Sequence, residues 1–251
     1  RQDLRNKRLR SEQHTGDYMS RDRVKVGIPG LDDMLGGGLI PGSITSIIGT
    51  FGTGKTTFSL EFVWEGLKKN EKIIYISLEE REERIISYMK LKGWDVTPYL
   101  NKSLFVIKLD PTDFNLANNR IKNELPKLIE EIQANRVVID PISLFEDLFT
   151  SDSERRREMY RFIEGLRDRN CTIMMTSETD RNNPFSSRHG LIEYLSDTVI
   201  LLRYVRPSEI SVDVHLALEV VKMRMSAHSR EIKPYDLKQD QVEVYSEANV
   251  F

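Results

Sequence analysis

The sequence predicts an α/β fold: a mostly parallel, twisted sheet covered by helices on both faces and extended by antiparallel strands at its C-terminal end. Three observations carry this. From Val24 onward, short β-branched apolar runs alternate with segments of helical period, as strands joined by helical crossovers require. Those runs are apolar along their whole length, so both faces of the sheet must be covered. From Val212 the strand candidates follow one another with no helical segment between them, the pattern of an antiparallel finish.

"SITSIIG" (43–49) is the first strand, and Leu60, Val63, Trp64 and Leu67 recur at the spacing of one helix face. "KIIYISL" (72–78) is the second strand, and "REERIISYMKLKG" (81–93) is a helix with Gly93 as its stop. "SLFVIKLD" (103–110) is the third. Leu125, Leu128, Ile129 and Ile132 form a helical stripe with Pro126 in its first turn. "RVVID" (136–140) is a strand, and Ser151 with Glu154 has the spacing of a capping box. The helix it opens carries Met159, Phe162, Ile163 and Leu166. "CTIMMTS" (171–177), "DTVILLRYV" (197–205), "VDVHLALEVVKMRM" (212–225) and "IKPYDLKQDQVEVY" (232–245) supply the remaining strands.

The 251 residues, 39% hydrophobic and 30% charged, fit one generous domain with a real core. Residues 1–23 hold seven Lys or Arg against four acids; too polar to fold alone, they predict a flexible basic arm, read first as a solvated tail and alternatively as an extension that packs on a neighbour or meets a polyanion. The domain proper is expected over 24–246, with a tail at 247–251. A net charge of −2 gives no whole-molecule attraction to nucleic acid or to an acidic membrane. No stretch approaches the ~20 apolar residues of a membrane span. The lone Cys171, inside an apolar run, is expected in the core of a cytoplasmic protein.

"GTFGTGKT", Gly49, Thr50, Phe51, Gly52, Thr53, Gly54, Lys55 and Thr56, satisfies G-x-x-x-x-G-K-[ST] between a strand and a helix. Such a loop turns successive N–H groups inward at phosphate oxygens. Lys55 is expected to reach the β and γ phosphates and Thr56 to offer its hydroxyl to Mg²⁺, with Thr57 adjoining the nucleotide. Asp140, closing "RVVID", is the candidate acid for metal-bound water. In open α/β sheets ligands sit beyond the carboxyl ends of the strands, and "KIIYISLEE" delivers Glu79 and Glu80 there. Glu79 is the candidate base for the attacking water and Glu80 its support. The alternative, two acids stabilising the start of the next helix, fits Glu80 better than Glu79.

Together "GIPGLDDMLGGGLIPGS", "GTFGTGKTTFSLEFVWEGL", "YISLEE", "RVVIDPISLF", "MMTSE", "SSRHGLIEYLSDTVILL" and "VVKMRMSAH" resemble the KaiC branch of the RecA-like ATPases, over Val24 to Tyr245. The resemblance implies a RecA-like P-loop NTPase core, Mg-dependent ATP hydrolysis, and homohexameric rings holding ATP or ADP between subunits. It also implies that Glu79 and Glu80 are catalytic, and that Lys222 and Arg224 hold the γ-phosphate bound to a neighbouring subunit, with His228 near the same nucleotide. Alternation puts Lys222 and Arg224 on one side of a strand, opposite Val221, Met223 and Met225; without the resemblance they read equally as guards of an edge strand. Ser177 and Glu178 match the position from which the family reads nucleotide state towards an inner loop, here Thr179 to Gly190. Arg181, Arg188 and His189 of that loop are placed to meet a partner or polyanion. Two departures stand out: Pro141 where many relatives carry Ser, and Met225 where Gly is common, which predicts an altered turn. A second ATPase domain, where self-phosphorylation occurs in the family, has no room in this chain.

The reading is a slow regulatory ATPase. A recombinase-like protein related to RadA paralogues, binding single-stranded DNA, is the weaker alternative, because Phe185 is the loop's one aromatic. A nucleotide-dependent scaffold with little turnover is the other. No protein partner can be named from the sequence.

Overall fold

β-Branched and aromatic residues dominate most strands of the parallel part, and the helices that cross between them bury the faces that their spacing marks out. The computed structural model describes residues 23–205 and 214–248. Nearly all of the predicted arm and the last residues of the tail lie outside the described residues.

Helix α1 (Pro29–Met34) leads to strand β1 (Ile44–Gly49), buried throughout, and α2 (Lys55–Lys68) follows the glycine-rich loop. β2 (Ile73–Ser77) and α3 (Glu82–Leu91) come next, with Gly93 in the left-handed region at φ +83° as the helix stop. β3 (Leu104–Lys108) is the edge strand of the parallel part.

The stripe around Leu125 differs from expectation. Helix begins earlier, as α4 (Phe114–Asn119), whose N-cap Asp113 accepts from Leu116 N at 3.0 Å. It runs through a π-helical stretch (Arg120–Glu124) into α5 (Leu125–Ile132). Pro126 thus sits inside a continuous helical run. It has no N–H for the Lys122 carbonyl and its ring presses on that carbonyl, and the wider π turn relieves both.

β4 (Arg136–Asp140), the short α6 (Ser143–Glu146) and α7 (Asp152–Arg167) follow. Ser151 caps α7 as the spacing predicts, its hydroxyl accepting from Glu154 N at 3.2 Å. β5 (Thr172–Ser177), α8 (Ile192–Leu195), β6 (Thr198–Val205), β7 (His215–Met223), β8 (Lys233–Leu237) and β9 (Val242–Val244) complete the chain.

The nine strands form one sheet in the order β3-β2-β4-β5-β1-β6-β7-β8-β9. Pairing is parallel from β3 to β6 and antiparallel from β6 to β9. Neighbouring strand residues point to opposite faces, so the core divides in two. Tyr75, Val138 and Met174 join Phe58 and Phe62 of α2 on one face. Ile74, Ile139 and Ile173 join Phe145 and Phe162 on the other. Each such side chain contributes about 1.5–3 kcal/mol by leaving water. Cys171 is buried among them, and burial pushes its thiol up to about 11. No helix among the described residues is long and apolar enough to cross a membrane.

Candidate functional site

Register brings four strand ends together. Ile48 pairs with Ser177 and Ser77 with Asp140, so β1, β2, β4 and β5 finish at one edge of the sheet. A cleft of about 310 Å³ opens there. Phe51, Gly52, Gly54, Lys55 and Thr56 line it from the loop, and Glu79, Asp140, Pro141 and Glu178 from the strand ends.

Gly52 and Gly54 hold the loop in the left-handed region, at φ +74° and +86°. A side chain at Gly54 would also strike Leu237, since a Cβ there lies 2.6 Å from Leu237 Cδ2. Thr53 Oγ1 donates to Thr50 O at 2.8 Å, closing the turn. Lys55 Nζ donates to Gly49 O at 2.9 Å and Thr50 O at 3.0 Å, lying across the loop. Thr53 is buried beneath, and Thr57 follows Thr56 in the first turn of α2.

The charges around Lys55 are lopsided. Burial lowers its ammonium, while Glu178, Asp140 and Glu79 oppose that shift. Glu79 is raised by burial and then by the carboxylates of Asp140, Glu80 and Glu178, with the Lys55 ammonium opposing. Glu178 is paired with Arg188, which leaves Lys55 against Asp140 and Glu79; these carboxylates would repel a triphosphate unless a divalent cation offset them. Thr56, Asp140 and Glu79 supply hard oxygen donors, which suit Mg²⁺. The described residues contain no group of three or more His, Cys, Asp or Glu that would hold a metal by itself; Mg²⁺ ordinarily completes its shell with phosphate oxygens and water.

Asp140 is fixed by two hydroxyls. Its Oδ2 accepts from Tyr75 at 2.5 Å and its Oδ1 from Thr176. Both donors lie within strands that otherwise read as core, and a polar residue inside the apolar run "IMMTS" is the sequence signal that marks Thr176. Pro141 removes an N–H beside this carboxylate and itself lines the cleft.

The two glutamates separate. Glu79 faces the cleft. Glu80 turns onto α3, where its carboxylate accepts from Arg84 at 3.2 Å and Tyr88 at 3.4 Å. Ser177 is buried, its hydroxyl bonded to the Glu178 carbonyl at 2.9 Å, and the neighbouring Glu178 reaches the cleft instead. Glu178 continues into the inner loop through Arg188, at 2.5 Å, which also meets Asp147 at 3.0 Å. His189 bonds Asp147 at 2.7 Å. Arg188 and His189 are therefore engaged within the chain.

Lys222 and Arg224 share a side, as alternation predicts, although a bulge between Val199 and Ile200 of β6 leaves Met223 buried and Val221 exposed. Both reach the end of α8: Lys222 Nζ donates to Glu193 O at 2.9 Å and Ser196 O at 2.6 Å, and Arg224 to Tyr194 O at 2.9 Å. They lie away from this chain's own cleft. Lys222 pairs with Val199 at the start of β6, whereas Gly49 pairs with Leu202. That separation is about 10 Å along the strands plus two strand spacings of about 4.8 Å. His228 is half-buried beside the end of α1, with both ring nitrogens unpartnered among the described residues. Met225 adopts φ +57°, the conformation that Gly takes freely. A non-glycine residue held there carries a strain of about 1–2 kcal/mol.

Comparison with known proteins gives the family and the fold. Residues 24–249 match the family described as "ATPase: KaiC". The chain is 31% identical over 235 residues to the circadian clock oscillator protein KaiC of Parathermosynechococcus lividus, covering 89% of this chain and 42% of that protein. It therefore spans about half the length of the clock relatives it matches. A UPF0273 protein of Thermotoga maritima is 30% identical, with 89% of this chain and 96% of the relative covered. The crystal structure of a KaiC-like protein from Pyrococcus horikoshii superposes with a TM-score of 0.76 at 27% identity, over 89% of this chain and 98% of the other. A match from Val24 almost to the last residue, and a relative matched nearly end to end, place this chain in the KaiC family of ATPases.

Proposed function

We propose that the protein is a regulatory Mg-dependent ATPase working as a homohexameric ring, each nucleotide site being completed by Lys222 and Arg224 of the adjacent copy. One observation carries the proposal. The two cations point together, yet lie at the opposite end of the strands from the phosphate loop of their own chain. Lys222 rests on neutral carbonyls, so a phosphate from a neighbour would give it charge-assisted bonds in exchange, while Arg224 shares its guanidinium between the Tyr194 carbonyl and, at 3.4 Å, the Asp197 carboxylate.

Exposed apolar side chains support the same assembly. Phe51, Tyr204 and Leu237 surround the phosphate loop, and Tyr194, Val221 and Met225 flank the basic pair. Two different patches make a head-to-tail contact, which closes into a ring when the rotation permits.

In such a site the loop amides and Lys55 bind and orient the β and γ phosphates, and Mg²⁺ held through Thr56 and the Asp140 side supplies charge compensation on those oxygens. Glu79 accepts the proton of the attacking water. Lys222 and Arg224 stabilise the charge that develops on the transferred phosphoryl group. A base-stacking role for the inner loop has little support, because Phe185 is the one aromatic between Thr179 and Gly190 and successive bases need successive rings.

Turnover per molecule is expected to rise with protein concentration as rings assemble. Turnover that is the same at all concentrations, with the protein monomeric, would refute the shared site.

A further inference from the structure

A glycine-rich loop binds phosphate only when its N–H groups point into the cleft, and across a trans peptide the C=O and the following N–H point in opposite directions. The carbonyls must therefore be held outward. Glycine tolerates both signs of φ, so the peptides entering Gly52 and Gly54 are the ones most free to turn over.

Both of those carbonyls are gripped from behind by a tyrosine. Tyr235 of β8, 1% exposed, donates its hydroxyl to the Thr53 carbonyl at 2.6 Å. Phe58 packs edge-on against its ring at 5.2 Å, which fixes where the hydroxyl lies. Tyr204 of β6 donates to the Phe51 carbonyl at 3.3 Å, nearer the surface. Turning over the Thr53–Gly54 peptide would leave a buried hydroxyl and a buried carbonyl unpaired at once.

We propose that Tyr235, with weaker help from Tyr204, is a positioning residue for the phosphate loop: its hydroxyl locks the Thr53–Gly54 peptide so that the Gly54 N–H faces the phosphates. The proposal rests on the nucleotide-binding reading of the same cleft. It gives the antiparallel extension, where Tyr235 resides, a direct part in ligand binding.

The test is Tyr235→Phe in the full chain, which keeps the ring and removes only the hydroxyl. Affinities for ATP, ADP and adenosine are measured by titration. Binding of ATP and ADP should weaken about tenfold while adenosine binding is unchanged, since adenosine makes no use of the loop amides. A merely structural role would leave the ratio of ATP to adenosine affinity as in wild type, and that result overturns the proposal. Should Tyr235→Phe fail to fold, Tyr204→Phe decides by the same ratio, expected to fall about threefold; an unchanged ratio overturns the proposal. Wild-type protein that bound no ATP would overturn the nucleotide reading itself and the proposal with it, and would be seen before any substitution is made.

Discussion

The two ends of the parallel strands use charge in opposite ways. At the amino ends, ionised groups close on one another. Arg136, fully buried at the start of β4, bonds Glu71 and the carbonyls of Lys25 (2.8 Å) and Phe62 (2.9 Å), and stacks 4.4 Å over the Phe62 ring. Asp197 accepts two bonds from Arg167, at 2.9 and 2.8 Å, and one from Ile44 N at 2.9 Å. At the carboxyl ends, Lys55 confronts three carboxylates and bonds only loop carbonyls. Ion pairs tie strands and helices together at one end, whereas the cleft carboxylates at the other stay open to a ligand. A chain's own phosphate cleft and its structural ion pairs thus sit at opposite ends of the strands; Lys222 and Arg224, at the structural end, can meet only a ligand held by a neighbouring copy.

That contrast can be broken from either side. Arg136→Ala removes a fully buried guanidinium whose partner Glu71 is half-buried and leaves the Lys25 and Phe62 carbonyls unpaired. It should cost about 1–3 kcal/mol, read from denaturant midpoints, while the folded fraction keeps its affinity for ATP. Turnover lost with no shift in midpoint would contradict the division. Glu79→Gln should do the reverse, leaving the midpoint unmoved and nucleotide bound while hydrolysis falls about 10²–10⁴-fold. In wild type the acid limb of the rate should lie above the ordinary glutamate value of about 4.3, because Glu79 is raised and must be ionised to take a proton. An acid limb at or below that value would argue against Glu79 as base.

A smaller effect concerns Glu146, just past the carboxyl end of β4. It is fully buried, both carboxylate oxygens lack partners among the described residues, and burial, then Glu193, pushes it up to about 8. A group raised in the folded state stabilises below its unfolded value and loses that contribution as pH rises through the folded one. Wild-type stability should therefore decline between about pH 4.3 and 8, and Glu146→Gln should flatten the decline. Equal slopes in both proteins would mean that the carboxyl finds a partner in solution.

Much of this was legible in the sequence, for identifiable reasons. Continuous apolar runs marked each long strand, and the Ser151 cap and Gly93 stop were local signals that packing left alone. The phosphate loop is a contiguous motif, so its residues meet by covalent connection. What could not be read depended on distant partners. Glu80 leaves the cleft because Arg84 and Tyr88 lie one and two turns along α3. Tyr75, Thr176 and Tyr235 look like core, and their hydroxyls acquire a role only when pairing sets them beside Asp140 and Thr53. The π turn ahead of Pro126 was hidden because the hydrophobic stripe is the same with or without it.

The shared site is tested most directly by mixing two inactive proteins. Glu79→Gln lacks the base in its own cleft but carries intact Lys222 and Arg224; the double variant Lys222→Ala, Arg224→Ala keeps the base and lacks the cations. Co-assembled in equal amounts, they should recover about a quarter of wild-type turnover, because one in four interfaces combines an intact base with intact cations from the next copy. Mixed rings that form and stay inactive would contradict a nucleotide site divided between neighbours.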